Sequence, residues 1–326
     1  MSAIVVTRTG GPEVLEYVDD APALEPGPGR LLVKVAAAGV NFVDIYHRSG
    51  AYRKPLPFTP GGEFAGTVEA VGEGVSGVAV GDRVASVDSL SGAYAQFTLV
   101  SADRVVHVPE AVPLETAAAA LLQGLTAHYL TASTWPIQKG DTALVHAAAG
   151  GMGLLLTQLV KARGGRVIGT VSTPEKEALA RSAGADEVIR YTEVDDLAAA
   201  VKQLTENGRG VDVVYDGVGK TTFDASLASL RPRGLMALYG AASGPVPEFD
   251  PQRLQAGGSL FLTRPTLGNY IATPEDFAWR TGELLAAVSS STLTITVGAR
   301  YPLADAAAAH AALQSRATTG KVLLIP

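Results

Sequence analysis

The chain has 326 residues, of which 47% are hydrophobic and 18% charged, enough for two domains with sizeable cores and too apolar for a disordered chain. A formal charge of −6 argues against a sequence-blind nucleic-acid binder or a protein held to a membrane surface by charge. Cysteine is absent altogether, which excludes thiol catalysis, disulfides and cysteine-ligated zinc.

The N-terminus, MSAIVVTRTGGPEV, reads as a strand and a turn without the apolar segment of a signal peptide, and no stretch approaches the ~20 apolar residues of a membrane span. A cytoplasmic protein is expected. The first 125 residues read as mostly β. Short runs at Leu31–Val35, Gly66–Val71, Arg83–Val87 and Ala95–Val100 are separated by Gly and Pro clusters such as EPGPG and TPGGE. The pattern then changes. Strands at 141–146, 166–171, 186–190, 211–215 and 234–239 are spaced by helix-length segments, the mark of a doubly wound parallel sheet. Ser259–Thr263 is positioned to extend that sheet, and Pro274–Val288 reads as a helix with Thr273 as N-cap and Pro274 at its first position. The tail is β-like again at Thr292–Val297 and Val322–Ile325, and is expected to fold back onto the N-terminal domain. The division expected is 1–125 plus 290–326 for one domain and 126–289 for the other.

The most informative stretch is Asp141–Gly153, DTALVHAAAGGMG. An apolar run ends in small residues, and Gly150 and Gly153 open an apolar helix, with Ala148 in the first place of an AxGxxG pattern. In a strand–turn–helix setting such glycines let the backbone approach a pyrophosphate, whose charge lies among the free N–H groups of a helix N-terminus. An NAD site would carry Asp or Glu at the end of the next strand, to hold the ribose 2′-hydroxyl. This chain has Ser172-Thr173-Pro174-Glu175-Lys176 there. Ser172 is a neutral donor and Lys176 a cation for a 2′-phosphate, while Glu175 reads as a first-turn residue favoured by the helix dipole. The cofactor expected is NADPH.

With these motifs in place the chain resembles a medium-chain dehydrogenase/reductase, in the zinc-free quinone oxidoreductase (zeta-crystallin-like) branch. The resemblance rests on GGPEV (Gly10–Val14), AAGVNFVDIYHRSGAY (Ala37–Tyr52), GGEFAG (Gly61–Gly66), GDRV (Gly81–Val84), GLTAHYL (Gly124–Leu130), HAAAGGMG (His146–Gly153), VVYDGVG (Val213–Gly219), TRP (Thr263–Pro265) and SRATTGK (Ser315–Lys321). It implies an α/β protein with a GroES-like β domain and a Rossmann doubly wound parallel sheet domain, and an active site in the cleft between them. Zinc enzymes of the superfamily place Cys where this chain has Asn41 and His where it has Gly62, with a third ligand near Gln123. Their proton relay falls on Val43. Glycine has no side chain to ligate with and an amide is a poor substitute for thiolate or imidazole, so no metal is expected.

The resemblance also implies roles. Asn41 contacts the nicotinamide ribose and the substrate, and Tyr46 and Tyr52 line the pocket beside the nicotinamide. Asp44 binds the ribose region or caps the next helix. Thr126 approaches the nicotinamide phosphate, and Tyr129 reaches the cofactor or packs. Gly150, Gly151, Met152 and Gly153 present backbone to the pyrophosphate. Ser172, Lys176, Tyr191 and Arg316 form a 2′-phosphate clamp. Asp216 lies on the adenine side. Tyr239, Gly240, Ser243, Thr263 and Arg264 reach the nicotinamide side, with Arg264 assisting the substrate. His146 is expected to end a buried strand.

The activity implied is reduction of a quinone by NADPH, with hydrogen bonds from Asn41, Tyr46, Tyr52 or Arg264 to the developing oxyanion. Two alternatives stay open: an NADPH-dependent reductase of α,β-unsaturated carbonyls, and a non-enzymatic NADPH-binding protein with a structural or RNA-binding role. A homodimer is expected, with Ser259–Thr263 pairing across a twofold axis.

Overall fold

The computed structural model describes every residue except Ala317. The chain divides into two compact units, Met1–Leu122 with Thr281–Pro326, and Gln123–Arg280.

The first unit opens with a hairpin of β1 (Ala3–Val5) and β2 (Glu16–Val18). Strands β3 (Arg30–Val40), β4 (Phe64–Val71), β5 (Arg83–Ser86), β6 (Phe97–Ser101) and β7 (Val106–His107) follow, with helix α1 (Phe42–Ser49) after β3 and α2 (Leu114–Tyr129) after β7. The long β3 is the hub of the sheet: it pairs antiparallel with both β4 and β6. Alternate residues Leu31, Val33 and Val35 face the core, where they meet Phe64, Val68, Val84 and Val100. Helix α1 ends at Gly50, whose φ of 82° suits a residue without a β-carbon.

The second unit alternates β8 (Thr142–Val145), α3 (Gly151–Ala162), β9 (Arg166–Val171), α4 (Pro174–Ser182), β10 (Glu187–Arg190), α5 (Leu197–Gln203), β11 (Val211–Asp216), α6 (Phe223–Ser229), β12 (Leu230–Leu238), α7 (Gln252–Ala256) and β13 (Phe261–Thr263). The strand order is β10-β9-β8-β11-β12-β13, every neighbouring pair parallel, with the order reversing at β8. This is the dinucleotide-binding topology, in which ligands lie beyond the carboxyl ends of the strands near the switch point. All four residues of β8 are buried, as befits a central parallel strand. Thr173 caps α4 by accepting from the Lys176 N–H at 3.3 Å, with Pro174 at the first helical position. His146 closes β8 as a buried residue, Nδ1 against the Thr170 hydroxyl at 3.0 Å and Nε2 against Ser226 at 2.9 Å.

Helices α8 (Leu267–Tyr270) and α9 (Pro274–Ser289) follow, Thr273 capping α9 through the Asp276 N–H at 3.1 Å. The chain then forms β14 (Val297–Pro302), α10 (Ala306–Gln314) and β15 (Lys321–Ile325). Strand β15 pairs antiparallel with β3 and parallel with β14, so the tail completes the first unit's sheet. The strand expected at Thr292–Val297 is displaced: β14 starts only at Val297. Thr292 and Leu293 instead close the end of α9, both bonding to the Ala287 carbonyl at 3.1 Å. A β-branched residue with a hydroxyl served the helix terminus rather than a ladder. Among the described residues no helix is long and apolar enough to cross a membrane.

The close approach of α3 to β8 rests on Gly153. A β-carbon there would collide with the Ala147 carbonyl oxygen and lie 2.6 Å from the Ala148 Cα. Both obstacles are backbone and cannot swing aside. Gly153→Ala is therefore expected to cost about 1–3 kcal/mol, as overpacked sites do, read as a lower urea midpoint, and to weaken dinucleotide binding with it.

Candidate functional site

In the second unit the β8–α3 turn places Ala147 in the left-handed region (φ 50°) and Gly150 at the N-cap of α3. Gly150 brings no capping side chain, so the first-turn N–H groups of Gly151, Met152 and Gly153 receive no side-chain partner from the cap and are available to an anion. Gln123 lies against Gly151, closely enough that a β-carbon on Gly151 would strike its amide oxygen. That oxygen is buried and among the described residues has no hydrogen-bond partner, an opening for a donor on a ligand. At the end of β9 the Lys176 ammonium lies 3.5 Å from the Ser172 hydroxyl, and Thr192 donates to the Ser172 carbonyl at 3.4 Å. This brings the turn after β10, with its exposed Tyr191, beside the Ser172–Lys176 pair. The Glu175 carboxyl is held below the usual range by hydrogen bonds to its own backbone N–H and the Thr173 hydroxyl, a first-turn residue as expected. Arg316 falls in the turn after α10, with φ 59°.

Two loops at the carboxyl end of the sheet lock together. Asp216, fully buried, accepts from the Val218 and Gly219 N–H groups (2.8 and 2.9 Å) and from the Thr222 and Ser226 hydroxyls (2.7 Å each). Tyr239 and Gly240 donate their N–H to the Asp216 carbonyl, and the Ser243 hydroxyl donates to Val218 O at 2.8 Å. Beyond β13, whose last residue is Thr263, the Arg264 guanidinium donates to Leu238 O at 3.0 Å. Thr126 is nearly buried on α2. Tyr129 is 1% exposed and stacks on Tyr270, ring centroids 4.1 Å apart and 8° from parallel.

In the first unit Asn41 stands where β3 passes into α1. Its side chain is enclosed: Nδ2 donates to Glu63 Oε2 at 2.8 Å and Gly39 O at 3.3 Å, and Oδ1 accepts from the Lys321 ammonium at 2.7 Å. Its backbone N–H donates to Asp44 at 2.9 Å. Asp44 in turn accepts from the Tyr94 hydroxyl at 3.1 Å, and Tyr94 meets His310 Nε2 at 3.0 Å. Arg48 reaches His310 Nδ1 at 3.4 Å. A guanidinium only donates, so Nδ1 accepts and Nε2 carries the proton, giving one direction of donation from Arg48 to Asp44. Phe42, Tyr46 and Tyr52 form an aromatic surface along α1, with Tyr46 and Tyr52 5.1 Å apart and Tyr52 44% exposed.

These contacts specify what several of the side chains do within their own unit. The Asp44 carboxylate is half of a capping box, one of the two roles its sequence left open, and it accepts from Tyr94. One face of the Tyr129 ring is covered by Tyr270. The Asp216 side chain faces inward and organises its loop. Both Asn41 amide hydrogens are taken, by Gly39 and Glu63, and spare capacity is left on its oxygen.

Family models for an alcohol dehydrogenase GroES-like domain and a zinc-binding dehydrogenase match residues 27–110 and 151–281. A quinone oxidoreductase of Pseudomonas aeruginosa is 47% identical over 318 residues, 97% of each chain. The chain belongs to the quinone oxidoreductase family, within the medium-chain dehydrogenase/reductase superfamily. Two solved structures agree over their whole length: a mycobacterial protein complexed with NADPH (55% identity, TM-score 0.96) and the Escherichia coli quinone oxidoreductase complexed with NADPH (43%, 0.96), each covering 100% of both chains. The α/β fold class read from the sequence, a GroES-like domain with a Rossmann-type parallel sheet, is the one this family has.

Glu63 and Lys321 both lay inside quoted family motifs but drew no assignment in the sequence. The available signal was chemical: a charge set in an apolar strand context, Glu63 before FAG and Lys321 before VLLI.

The buried chain titrates in two opposite senses. Burial lifts the Asp44 carboxyl to about 6 from 3.8, against the lowering effect of the Asn41 N–H and the Tyr94 hydroxyl. Burial and the Arg48 guanidinium push His310 down to about 3 from 6.5. As pH falls from 6.5 the unfolded chain protonates its histidine first, so the His310 contribution is lost down to about pH 3. Asp44 takes its proton first in the folded protein, so its contribution grows as pH falls through 6 and is complete below 3.8. His310→Gln is expected to flatten the fall in Tm between pH 6.5 and 4, and Asp44→Asn to steepen it. Thermal melts across that range check this; parallel curves for wild type and variants would exclude both assignments.

Proposed function

We propose that the protein is an NADPH-dependent quinone reductase that transfers reducing equivalents to a quinone without a metal. The observation that carries the cofactor half is the Ser172–Lys176 pair at the end of β9, a neutral donor and a cation where a carboxylate would select NADH. The dinucleotide fits the second unit on its own chemistry: a glycine-lined helix start that tolerates no side chain at Gly153, and a buried acceptor on Gln123 awaiting a donor. The acceptor half is supported by membership of the quinone oxidoreductase family and by the aromatic cluster of Phe42, Tyr46 and Tyr52.

NADPH, when bound, supplies the hydride at its nicotinamide ring. Everything else falls to the chain. Gly150, Gly151, Met152 and Gly153 bind the pyrophosphate through backbone and the dipole of α3. Ser172, Lys176, Tyr191 and Arg316 hold the 2′-phosphate. Thr126, Tyr239, Gly240, Ser243, Thr263 and Arg264 serve the nicotinamide end, the two loops kept in place by Asp216. Asn41 meets the nicotinamide ribose as an acceptor. Tyr46, Tyr52 and Arg264 stabilise the charge that develops on the quinone oxygen by hydrogen bonding. Because that charge delocalises into an aromatic product, hydrogen bonds suffice, and Asn41, Gly62 and Gln123 offer a metal neither thiolate nor imidazole. We further infer a cytoplasmic homodimer joined at β13, an edge strand whose Phe261 is 57% exposed.

Oxidation of NADPH should be rapid with 1,4-benzoquinone or 9,10-phenanthrenequinone, insensitive to chelator and much slower with NADH. Turnover of a 2-alkenal with no quinone reduction would transfer the protein to the double-bond reductases. NADPH binding without turnover of either acceptor would leave the non-enzymatic reading. Lys176→Ala is expected to raise KM for NADPH about tenfold, the value of one charge-assisted hydrogen bond to phosphate, with KM for NADH unchanged; steady-state kinetics with both cofactors separates the two.

A further inference from the structure

Lys321 and Glu63 are an ion pair sealed in the first unit, 1% and 0% exposed, with ammonium and carboxylate 2.5 Å apart. Burying two charges is expensive, and apolar residues of the same volume commonly hold a fold at least as well. The arrangement around the pair indicates what it does instead. Both partners grip the same amide. Glu63 Oε2 accepts from Asn41 Nδ2 and Lys321 donates to Asn41 Oδ1, while the other Glu63 oxygen accepts from the Leu122 N–H at 2.6 Å. Turning the amide over would set its NH2 against an ammonium and its oxygen against a carboxylate. The amide therefore has one allowed orientation. Both its hydrogens are used, and the capacity left is the second lone pair of Oδ1.

We propose that Lys321 and Glu63 are positioning residues that lock Asn41 as a hydrogen-bond acceptor, so that it selects a hydroxyl donor, the nicotinamide ribose of the bound dinucleotide, rather than an anionic oxygen. This rests on the reading that Asn41 faces the cofactor. Three elements meet at the lock: the end of β3, the residue before β4 and the start of β15. The orientation of one amide is thus tied to the completion of the sheet.

The test is NADPH affinity by isothermal titration calorimetry, with no acceptor present. Lys321→Met alone would strand a buried carboxylate and unfold the unit, so the main variant is Lys321→Met with Glu63→Gln, which removes both charges; Glu63→Gln alone is the second. Asn41→Ala is combined with each. Asn41→Ala is expected to weaken NADPH binding roughly fivefold, the size of one net hydrogen bond. The double variant should do the same, and the triple variant should be no worse than either. KM for NADPH should move with affinity while KM for the quinone stays put. Wild-type affinity in the double variant, or effects that multiply in the triple variant, would overturn the proposal. If the double variant does not fold, Glu63→Gln with and without Asn41→Ala decides by the same non-additivity. Wild type that binds NADPH but reduces no quinone would overturn the quinone-reductase reading alone, since the binding series still runs. Wild type that does not bind NADPH would overturn both.

Discussion

A helix can start against a strand only if nothing stands between them, and in the second unit everything near the dinucleotide turn follows from that constraint. Gly153 supplies the missing volume, so α3 packs directly on the Ala147–Ala148 backbone. The chain accepts a left-handed Ala147 to make the turn, at a cost of order 1–3 kcal/mol for a non-glycine residue held in such a region. Strain of that kind persists where the surroundings over-determine it. Here Ala148 N–H is tied to Thr170 O at 3.0 Å and His146 is pinned between Thr170 and Ser226, so both sides of the turn are fixed by the neighbouring strand and helix. The outcome is a row of helix-start N–H groups held rigidly at the switch point of a parallel sheet, a preorganised setting for an anion.

The first unit solves a different problem, that of holding polar groups in an apolar sheet. Two buried networks converge on one residue. The backbone of Asn41 is held through Asp44, Tyr94, His310 and Arg48, and its side chain through Glu63 and Lys321. Apart from the Arg48 Nε, which is buried without a hydrogen-bond partner among the described residues, the polar groups that link these networks satisfy one another, so the residues behave as a set. The resemblance sets a metal-ligating cysteine at this position in the superfamily's zinc enzymes. This chain has an amide there, oriented by charges that never reach solvent.

How much of this the sequence disclosed depended on distance along the chain. Strand β9 is found at Arg166–Val171 as read, because a β-branched run flanked by glycine and a capped helix leaves little freedom in its bounds. Ser172 and Lys176 were legible for the same reason: they are one helical turn apart and their meeting is local. The partners of Asn41 were not. Glu63 is 22 residues away and Lys321 is 280, and no periodicity connects them. Nor could composition tell that Asp216 and Asp44 point inward, since a carboxylate in a loop looks alike whether it faces a ribose or a ring of N–H donors. Thr292 misled for a related cause, a β-branched residue employed for its hydroxyl.

The discontinuity of the first unit bears on how the protein is made. Strand β15 covers one edge of β3, and His310 and Lys321 complete both networks. On a ribosome, the segment to Leu122 emerges with Glu63 uncompensated and that edge bare. It must wait for the residues from Gln123 to Ile325 to be synthesised, roughly ten to forty seconds at about 5–20 residues per second. The second unit is continuous and can close in that interval. The second unit has all its strands before the first unit does, and the first unit's sheet keeps a bare edge until the last strand arrives.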